Sequence, residues 1–173
     1  MLKVGIIGAG TMGRMHSEAW TNTGRVEIVG IYDVNKSYAE ALASRYSTKA
    51  VELNQLLKEA DIVDVCTPTH THHQYVIAAA RAGKHIFCEK PLARTLEQGE
   101  EMIKEVEKAG VKFMVGQVLR WFPEYRKAKM MIEEGAIGKP IIARTTRGGV
   151  FPIGRADWYA DFEKSGGVIL DLI

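Results

Sequence analysis

Three glycines and two charged side chains carry most of the chemistry legible in this chain. Gly8, Gly10 and Gly13 fit the pattern G-x-G-x-x-G, and Asp33 follows 20 residues after Gly13. Gly8 lets the chain turn sharply. Gly10 has no Cβ, so a pyrophosphate can approach its backbone, and Gly13 lets the following helix sit close to the preceding strand. Free N–H groups over Thr11, Met12 and Gly13, aligned with the helix dipole, favour a doubly negative group. Asp33 can accept both hydroxyl protons of an adenosine ribose. Its charge also opposes a 2′-phosphate, which selects NAD over NADP; Val34 offsets nothing, although Lys36 is close by. Lys90 is the other charged residue, placed just after an apolar run. A lysine there can hold a substrate hydroxyl and lower the pKa of a neighbouring base, and Pro91 can fix the turn that aims it.

The elements that must position these residues can be read from the same sequence. An apolar run over 2–7 leads into the glycine turn, and a second over 26–32 leads into Asp33. Glycine-rich turns are common, so the order strand, glycine turn, helix, strand, acid is what carries the dinucleotide reading. The first helix is expected over 11–22. Asn35 caps a second helix through Tyr46, with Tyr38, Ala41 and Leu42 on one face. A short extended piece over 48–51 precedes a helix over 53–58. Residues 62–66 form a fourth strand that ends at Thr67-Pro68. A helix over 71–82 and a strand over 84–88 follow. Thr95-Leu96-Glu97-Gln98 is a capping box that opens a helix with Leu96, Gly99, Ile103 and Val106 on one stripe, and a strand follows over 111–115. Strands alternating with helices imply parallel pairing through right-handed crossovers. The expected fold is therefore an α/β, doubly wound parallel (Rossmann) sheet with its ligand across the carboxyl ends of the strands. Asp64 is the misfit: a charge in a central strand needs a partner or an exposed end.

The pattern changes near residue 118. A helix is expected over 122–134, broken by Gly135, Gly138 and Pro140. Residues 141–147 favour strand, and 148–167 contain five glycines without clear periodicity. An apolar run over 168–173 closes the chain. Two domains follow from this: 1–118 binds the nucleotide, and 119–173 begins a second, incomplete α+β domain for substrate and oligomerisation.

Composition narrows the function classes. Of 173 residues, 46% are hydrophobic and 25% charged, which is ordinary for a globular protein. Net charge is +2, from 23 basic and 21 acidic residues, which argues against a nucleic-acid surface. No apolar run approaches the ~20 residues of a membrane span, and the chain enters its first strand without a signal peptide. Cys66 and Cys88 have no C-x-x-C partner, which fits a reducing cytoplasm and buried small side chains rather than redox groups.

His70, His72 and His73 suggest a metal, but adjacent and alternating positions at a helix start fit one zinc poorly, and no nearby cysteine or acid completes a set. They read instead as helix-start residues near the nicotinamide end, with no metal. His16, on the first helix, reads as packed or hydrogen-bonded. Arg155, Trp158 and Tyr159 can wall a substrate cleft or serve as core aromatics.

Taken together, the chain resembles the Gfo/Idh/MocA (glucose–fructose oxidoreductase / inositol dehydrogenase) family of NAD(P)-dependent oxidoreductases. The resemblance rests on Gly8 to His16, Asp61 to Pro68 with His72, Gly83 to Pro91, Arg120 with Pro123, the run Gly135-Ala136-Ile137-Gly138, and Ser165 to Asp171. Glu89-Lys90-Pro91 is its most specific part. It implies hydride transfer between a nicotinamide and a hydroxyl of a sugar, polyol or related small molecule, with Lys90 and Asp171 at the catalytic centre. Cofactor contacts are expected from the glycine turn, Asp33, Thr67, Pro68, His72, Glu89, Lys90 and Gln117. The family's base is a histidine four residues past the aspartate equivalent to Asp171, and the chain ends at Ile173, two residues short of it. The expectation is a cofactor-binding piece of a homo-oligomeric dehydrogenase, inactive alone. Two rivals stay open: a non-catalytic NAD-binding redox sensor, and glycosidic cleavage through transient oxidation on the same scaffold.

Overall fold

The computed structural model describes residues 1–146 and 157–172. Five parallel strands form one sheet: β1 (Leu2–Ile7), β2 (Val26–Tyr32), β3 (Ile62–Val65), β4 (His85–Glu89) and β5 (Phe113–Gly116), in the order β2-β1-β3-β4-β5. The order reverses between β1 and β3, and a ligand crevice is expected there, beyond the carboxyl ends of the strands. Residues 48–51 are not a strand of their own. Ala50 makes a single parallel bridge to Ile31 at the edge of β2, so the strand over 62–65 is the third and not the fourth.

Side chains alternate between the two faces of each strand. On one face Ile7, Val63, Val65, Ile86 and Cys88 pack against α3 (Leu53–Glu59), α4 (Thr69–Arg81) and α5 (Leu96–Ala109) through Leu56, Val76, Ala79, Met102 and Val106. On the other, Val4, Ile6 and Ile31 pack against α2 (Lys36–Arg45), with Trp20 of α1 (Thr11–Asn22) at the margin. Register decides what else lies on this second face. Ile6 pairs with Asp64, and Asp64 with Phe87, so Asp64, Phe87 and Glu89 share it.

The helices start where their caps dictate. The Asn35 side chain accepts from Ser37 N–H at 3.1 Å, and Thr95 Oγ1 from Gln98 N–H at 3.3 Å. The second half of the capping box differs from expectation, because Gln98 Oε1 takes the N–H of Arg94 rather than that of Thr95. Two buried stripes also shift. Helix α5 buries Gly99, Met102 and Val106 while Leu96 and Ile103 are exposed, and α2 buries Ala39, Leu42 and Ala43 while Tyr38 and Ala41 are exposed. In each, the buried set recurs at i, i+3 and i+4 or i+7, and the longer apolar side chain just beside it stays in water.

Two compact units emerge, Met1–Gly116 with Trp158–Ile173, and Gln117–Asp157. The first therefore includes α7 (Phe162–Ser165) and α8 (Gly167–Leu172), which sequence reasoning assigns to a second domain. The apolar run expected to start a new element is this helix α8. The second unit contains a 3₁₀ turn over Val118–Trp121 and α6 (Pro123–Glu133), opened by Pro123. Residues 141–146, expected to favour strand, form no regular structure.

Candidate functional site

The glycine turn is built by exclusion. Gly8 has φ +101°, and a Cβ on Gly13 would lie 1.8 Å from the carbonyl oxygen of Gly8. Helix and strand can be this close only without that carbon. A Cβ on Gly10 would meet nothing within 4 Å, so the outer side of the turn is open. Gly10 is the N-cap of α1 with no side-chain cap, and the N–H of Arg14 is bonded to Gly10 O at 3.0 Å. The preceding N–H groups of the first turn, on Thr11, Met12 and Gly13, lie too early in the helix for such a bond. A pyrophosphate fits this open cradle of donors.

Asp33 is fixed rather than free to swing. Its Oδ2 accepts from Ala9 N–H at 2.7 Å and its Oδ1 from Asn35 N–H at 2.8 Å. Each oxygen keeps a lone pair for a ribose hydroxyl. Beside it lies a cavity of about 270 Å³ lined by Tyr32, Asp33, Val34, Lys36, Glu52 and Gln55, among others.

The loops after β3 and β4 are tied together by His72. This ring is fully buried, with Nε2 2.8 Å from Thr67 O and Nδ1 2.9 Å from Pro91 O. Burial lowers its pKa, against the pull of those carbonyls. Both nitrogens face backbone carbonyls and the neutral ring donates to one of the two, so His72 serves the site by packing between the Thr67-Pro68 and Lys90-Pro91 turns rather than by touching a ligand. The three clustered histidines do not converge on one point. His73 Nε2 pairs with Glu101 at 2.8 Å, and His70 Nδ1 has no hydrogen-bond partner among the described residues.

At the end of β4 the backbone and side chain of Lys90 are both engaged. Lys90 N–H donates to Glu89 Oε2 at 2.9 Å, and the ammonium donates to Asp171 Oδ1 at 2.8 Å and Asp171 O at 2.7 Å. The Lys90–Pro91 peptide is cis. Arg94 supports the same segment, with Nε 3.0 Å from Glu163 O and its guanidinium over the Phe162 ring. Tyr159 stacks on Trp158 with ring centroids 3.9 Å apart. Its hydroxyl pKa is raised by burial first and then by the charges of Asp171 and Glu89. Arg155 lies outside the described residues, and Gln117 follows β5 directly and opens the second unit.

One group of site residues escaped the sequence reading. His16 Nε2 is 2.9 Å from Glu89 Oε1, and His16 Nδ1 is 3.0 Å from Asp64 Oδ2. Trp20 Nε1 donates to Asp64 Oδ2 at 2.6 Å, and the Cys66 thiol lies 3.3 Å from Asp64 Oδ1. Asp64 is thus the buried charge whose partners the sequence could not name. The spacing held the signal: Gly13, His16, Ser17 and Trp20 stand at i, i+3, i+4 and i+7 on α1, and Asp64 and Glu89 stand on the sheet face that α1 covers. His16, Asp64 and Cys66 each bring one ligand atom within 4.8 Å of the others, and the same atoms already satisfy one another by hydrogen bonding. Burial, followed by the charge of Asp64, pushes the Cys66 thiol up, so it stays protonated and unreactive.

An oxidoreductase family with an NAD-binding Rossmann fold, GFO/IDH/MocA, has a sequence profile that matches residues 2–117. The chain belongs to this family. A GFO/IDH/MocA C-terminal domain profile matches residues 125–173. Myo-inositol 2-dehydrogenase of Thermotoga maritima is 33% identical over 175 residues, covering 99% of the chain and 51% of that protein. Levoglucosan dehydrogenase of Pseudarthrobacter phenanthrenivorans is 37% identical, covering 92% and 42%. Among solved structures, the WlbA dehydrogenase of Bordetella pertussis in complex with NADH and UDP-GlcNAcA superposes with a TM-score of 0.75 at 30% identity, over 79% of this chain and 43% of that one. A levoglucosan dehydrogenase complexed with NADH and levoglucosan gives 0.74 at 37%, over 80% and 40%. The chain spans about half the length of the curated relatives it matches. As a GFO/IDH/MocA protein it is an NAD-binding oxidoreductase-family chain, and the open glycine turn and anchored Asp33 fit that cofactor. No helix among the described residues is long and apolar enough to cross a membrane.

Proposed function

We propose that the protein containing this chain oxidises a hydroxyl of a sugar, polyol or related small molecule, or runs the reverse reduction. Bound NAD supplies the hydride acceptor. Residues of the chain supply binding and orientation. The first turn of α1 holds the pyrophosphate, Asp33 holds the adenosine ribose, and the Thr67-Pro68 and Glu89-Lys90 turns flank the nicotinamide end. Lys90 holds the reacting hydroxyl and stabilises the negative charge that grows on its oxygen as the proton leaves. Asp171 holds the same hydroxyl or orients the base that takes the proton.

The observation that supports this reading is the Lys90–Asp171 pair at 2.8 Å, set at the carboxyl end of β4 where a doubly wound sheet binds its ligand. The relatives' names point to the substrate class, since they include dehydrogenases of inositol and of levoglucosan. A cytoplasmic homo-oligomer is the setting we infer for the whole protein. The test is a panel of polyols and sugars offered to the complete protein with NAD, followed by NADH absorbance. Turnover of at least one cyclic polyol or anhydrosugar is expected. No turnover across the panel with intact NAD binding overturns the enzyme reading and favours a redox sensor.

A further inference from the structure

Lys90, in the role of holding the substrate hydroxyl, must be aimed. A lysine has a long flexible stem, so its ammonium is placed only as well as its backbone is fixed. We propose that His16 is a positioning residue for Lys90, bridging Asp64 and Glu89 so that Glu89 holds the Lys90 backbone; this rests on the proposed role of Lys90.

The bridge is continuous in distance. Asp64 Oδ2 to His16 Nδ1 is 3.0 Å, His16 Nε2 to Glu89 Oε1 is 2.9 Å, and Lys90 N–H to Glu89 Oε2 is 2.9 Å. Carboxylates only accept, so a ring serving both must donate from both nitrogens. Asp64 is fully buried and Glu89 is 8% exposed, so a carboxylate that loses a donor here loses it where an unmade hydrogen bond costs most. From the other side Pro91 O lies 2.9 Å from Nδ1 of the buried His72 ring. The residue that carries the ammonium is therefore gripped before and after its Cα.

The groups facing the ring are two acids, Asp64 and Glu89, the Cys66 thiol with Sγ 3.1 Å from Nδ1, and the edge-on ring of Phe87. Burial opposes a charged ring, and the hydrogen bonds to Asp64 and Glu89 outweigh it, raising its pKa to about 10. A histidine serving only as the partner of buried Asp64 would need no second acid. This one meets both, and one of the two is the residue immediately before Lys90.

The test combines one measurement on the unaltered protein with variants. Histidine ¹⁵N NMR at pH 8 should find both His16 nitrogens protonated. A neutral ring donates to only one acid and overturns the bridge. In the complete protein, His16→Gln should lower kcat on the order of 10²-fold through misplacement of Lys90 while leaving the Kd for NAD unchanged. Acetylation of Lys90, measured by mass spectrometry against the exposed Lys36, should speed up in the same variant. Unchanged kcat and unchanged Lys90 reactivity overturn the proposal. If His16→Gln does not fold, Glu89→Gln is read by Lys90 acetylation alone: a faster reaction supports the bridge, and an unchanged rate overturns it. Lys90→Ala separates the two ideas: undiminished turnover there defeats the reading of Lys90, whereas the acetylation result still decides whether His16 positions it.

Discussion

Lys90 and Asp171 lie 81 residues apart in the chain, and the ammonium of one is 2.8 Å from the carboxylate of the other. Their side chains are 31% and 14% exposed, so water reaches both groups and can solvate the one left when its partner is removed. Lys90→Ala in the complete protein should therefore fold normally and bind NAD with near-normal affinity. Turnover should fall by about 10²–10⁴, the range of a positioned proton-transfer partner. Steady-state kinetics beside a calorimetric NAD titration checks this; a loss of NAD affinity with kcat intact would place Lys90 on the cofactor.

Asp33 makes a second test. Its carboxylate is held by two backbone N–H groups, at 2.7 and 2.8 Å, and so cannot swing away from a 2′-phosphate. NAD should bind more tightly than NADP. Asp33→Asn should weaken NAD by about ten- to a hundredfold, the worth of charged hydrogen bonds, and narrow the gap to NADP. Titration with both cofactors decides it, and equal affinities in the unaltered protein would mean the carboxylate faces away from the ribose.

How much of this was legible beforehand depends on the range of the forces involved. The parallel sheet, the glycine turn and the caps at Asn35 and Thr95 follow from local pattern and steric rules, and the structure has them. Helix ends moved by one or two residues, as fraying ends do. The buried stripes of α2 and α5 keep the expected Leu42, Gly99 and Val106, but Ala39, Ala43 and Met102 are buried where Tyr38, Ala41, Leu96 and Ile103 were expected, because Tyr38 and Ile103 match an apolar period without having a surface to cover them. The role of His72 and the whole His16–Asp64–Glu89 bridge depended on strand register and on which face α1 covers. Asp64 announced a missing partner, but only the pairing of Asp64 with Phe87, and so the placement of Glu89 one strand over on the same face, shows which histidine supplies it.

Gly10 and Gly13 separate binding from folding. A Cβ on Gly10, whose φ is −76°, meets nothing within 4 Å, whereas one on Gly13 lies 1.8 Å from a backbone oxygen. Gly10→Ala should keep stability within about 0.5 kcal/mol and lose most NAD affinity, because the methyl occupies the approach of the pyrophosphate. Gly13→Ala should lose about 1–3 kcal/mol of stability and NAD binding with it. Urea melts and NAD titrations of the two variants give the comparison; tight NAD binding by Gly10→Ala would place the pyrophosphate elsewhere.

Two histidines, the partly buried His16 and the buried His72, set opposite limits on the pH range of stability. The His16 ring is raised from 6.5 to about 10 when folded. Its contribution is complete below 6.5 and is lost as pH climbs toward 10, at up to ~1.4 kcal/mol per pH unit. The His72 ring is lowered by burial, so its contribution is complete above 6.5 and is lost as pH falls. Their sum peaks near the ordinary histidine value of ~6.5. Urea midpoints measured from pH 5 to 10 should decline on both sides, and His16→Gln should flatten only the alkaline limb. An alkaline limb unchanged in that variant would assign the slope to other groups.

The 173 residues as given should bind NAD by themselves. The open glycine turn, Asp33 with its neighbouring cavity, and the Thr67-Pro68 turn all belong to the unit formed by Met1–Gly116 with Trp158–Ile173. Both sheet faces are covered within that unit, by α3, α4 and α5 on one side and α1 and α2 on the other. Its core therefore needs no further chain to hold the cofactor's adenosine and pyrophosphate. Adenosine diphosphate ribose lacks the nicotinamide and should compete with NAD at comparable affinity, because the contacts named here are to the shared half of the molecule. Isothermal titration of the chain with NAD and with this fragment gives both numbers. Binding of neither, by a chain whose circular dichroism shows it folded, would mean that the glycine turn is not the cofactor's anchor.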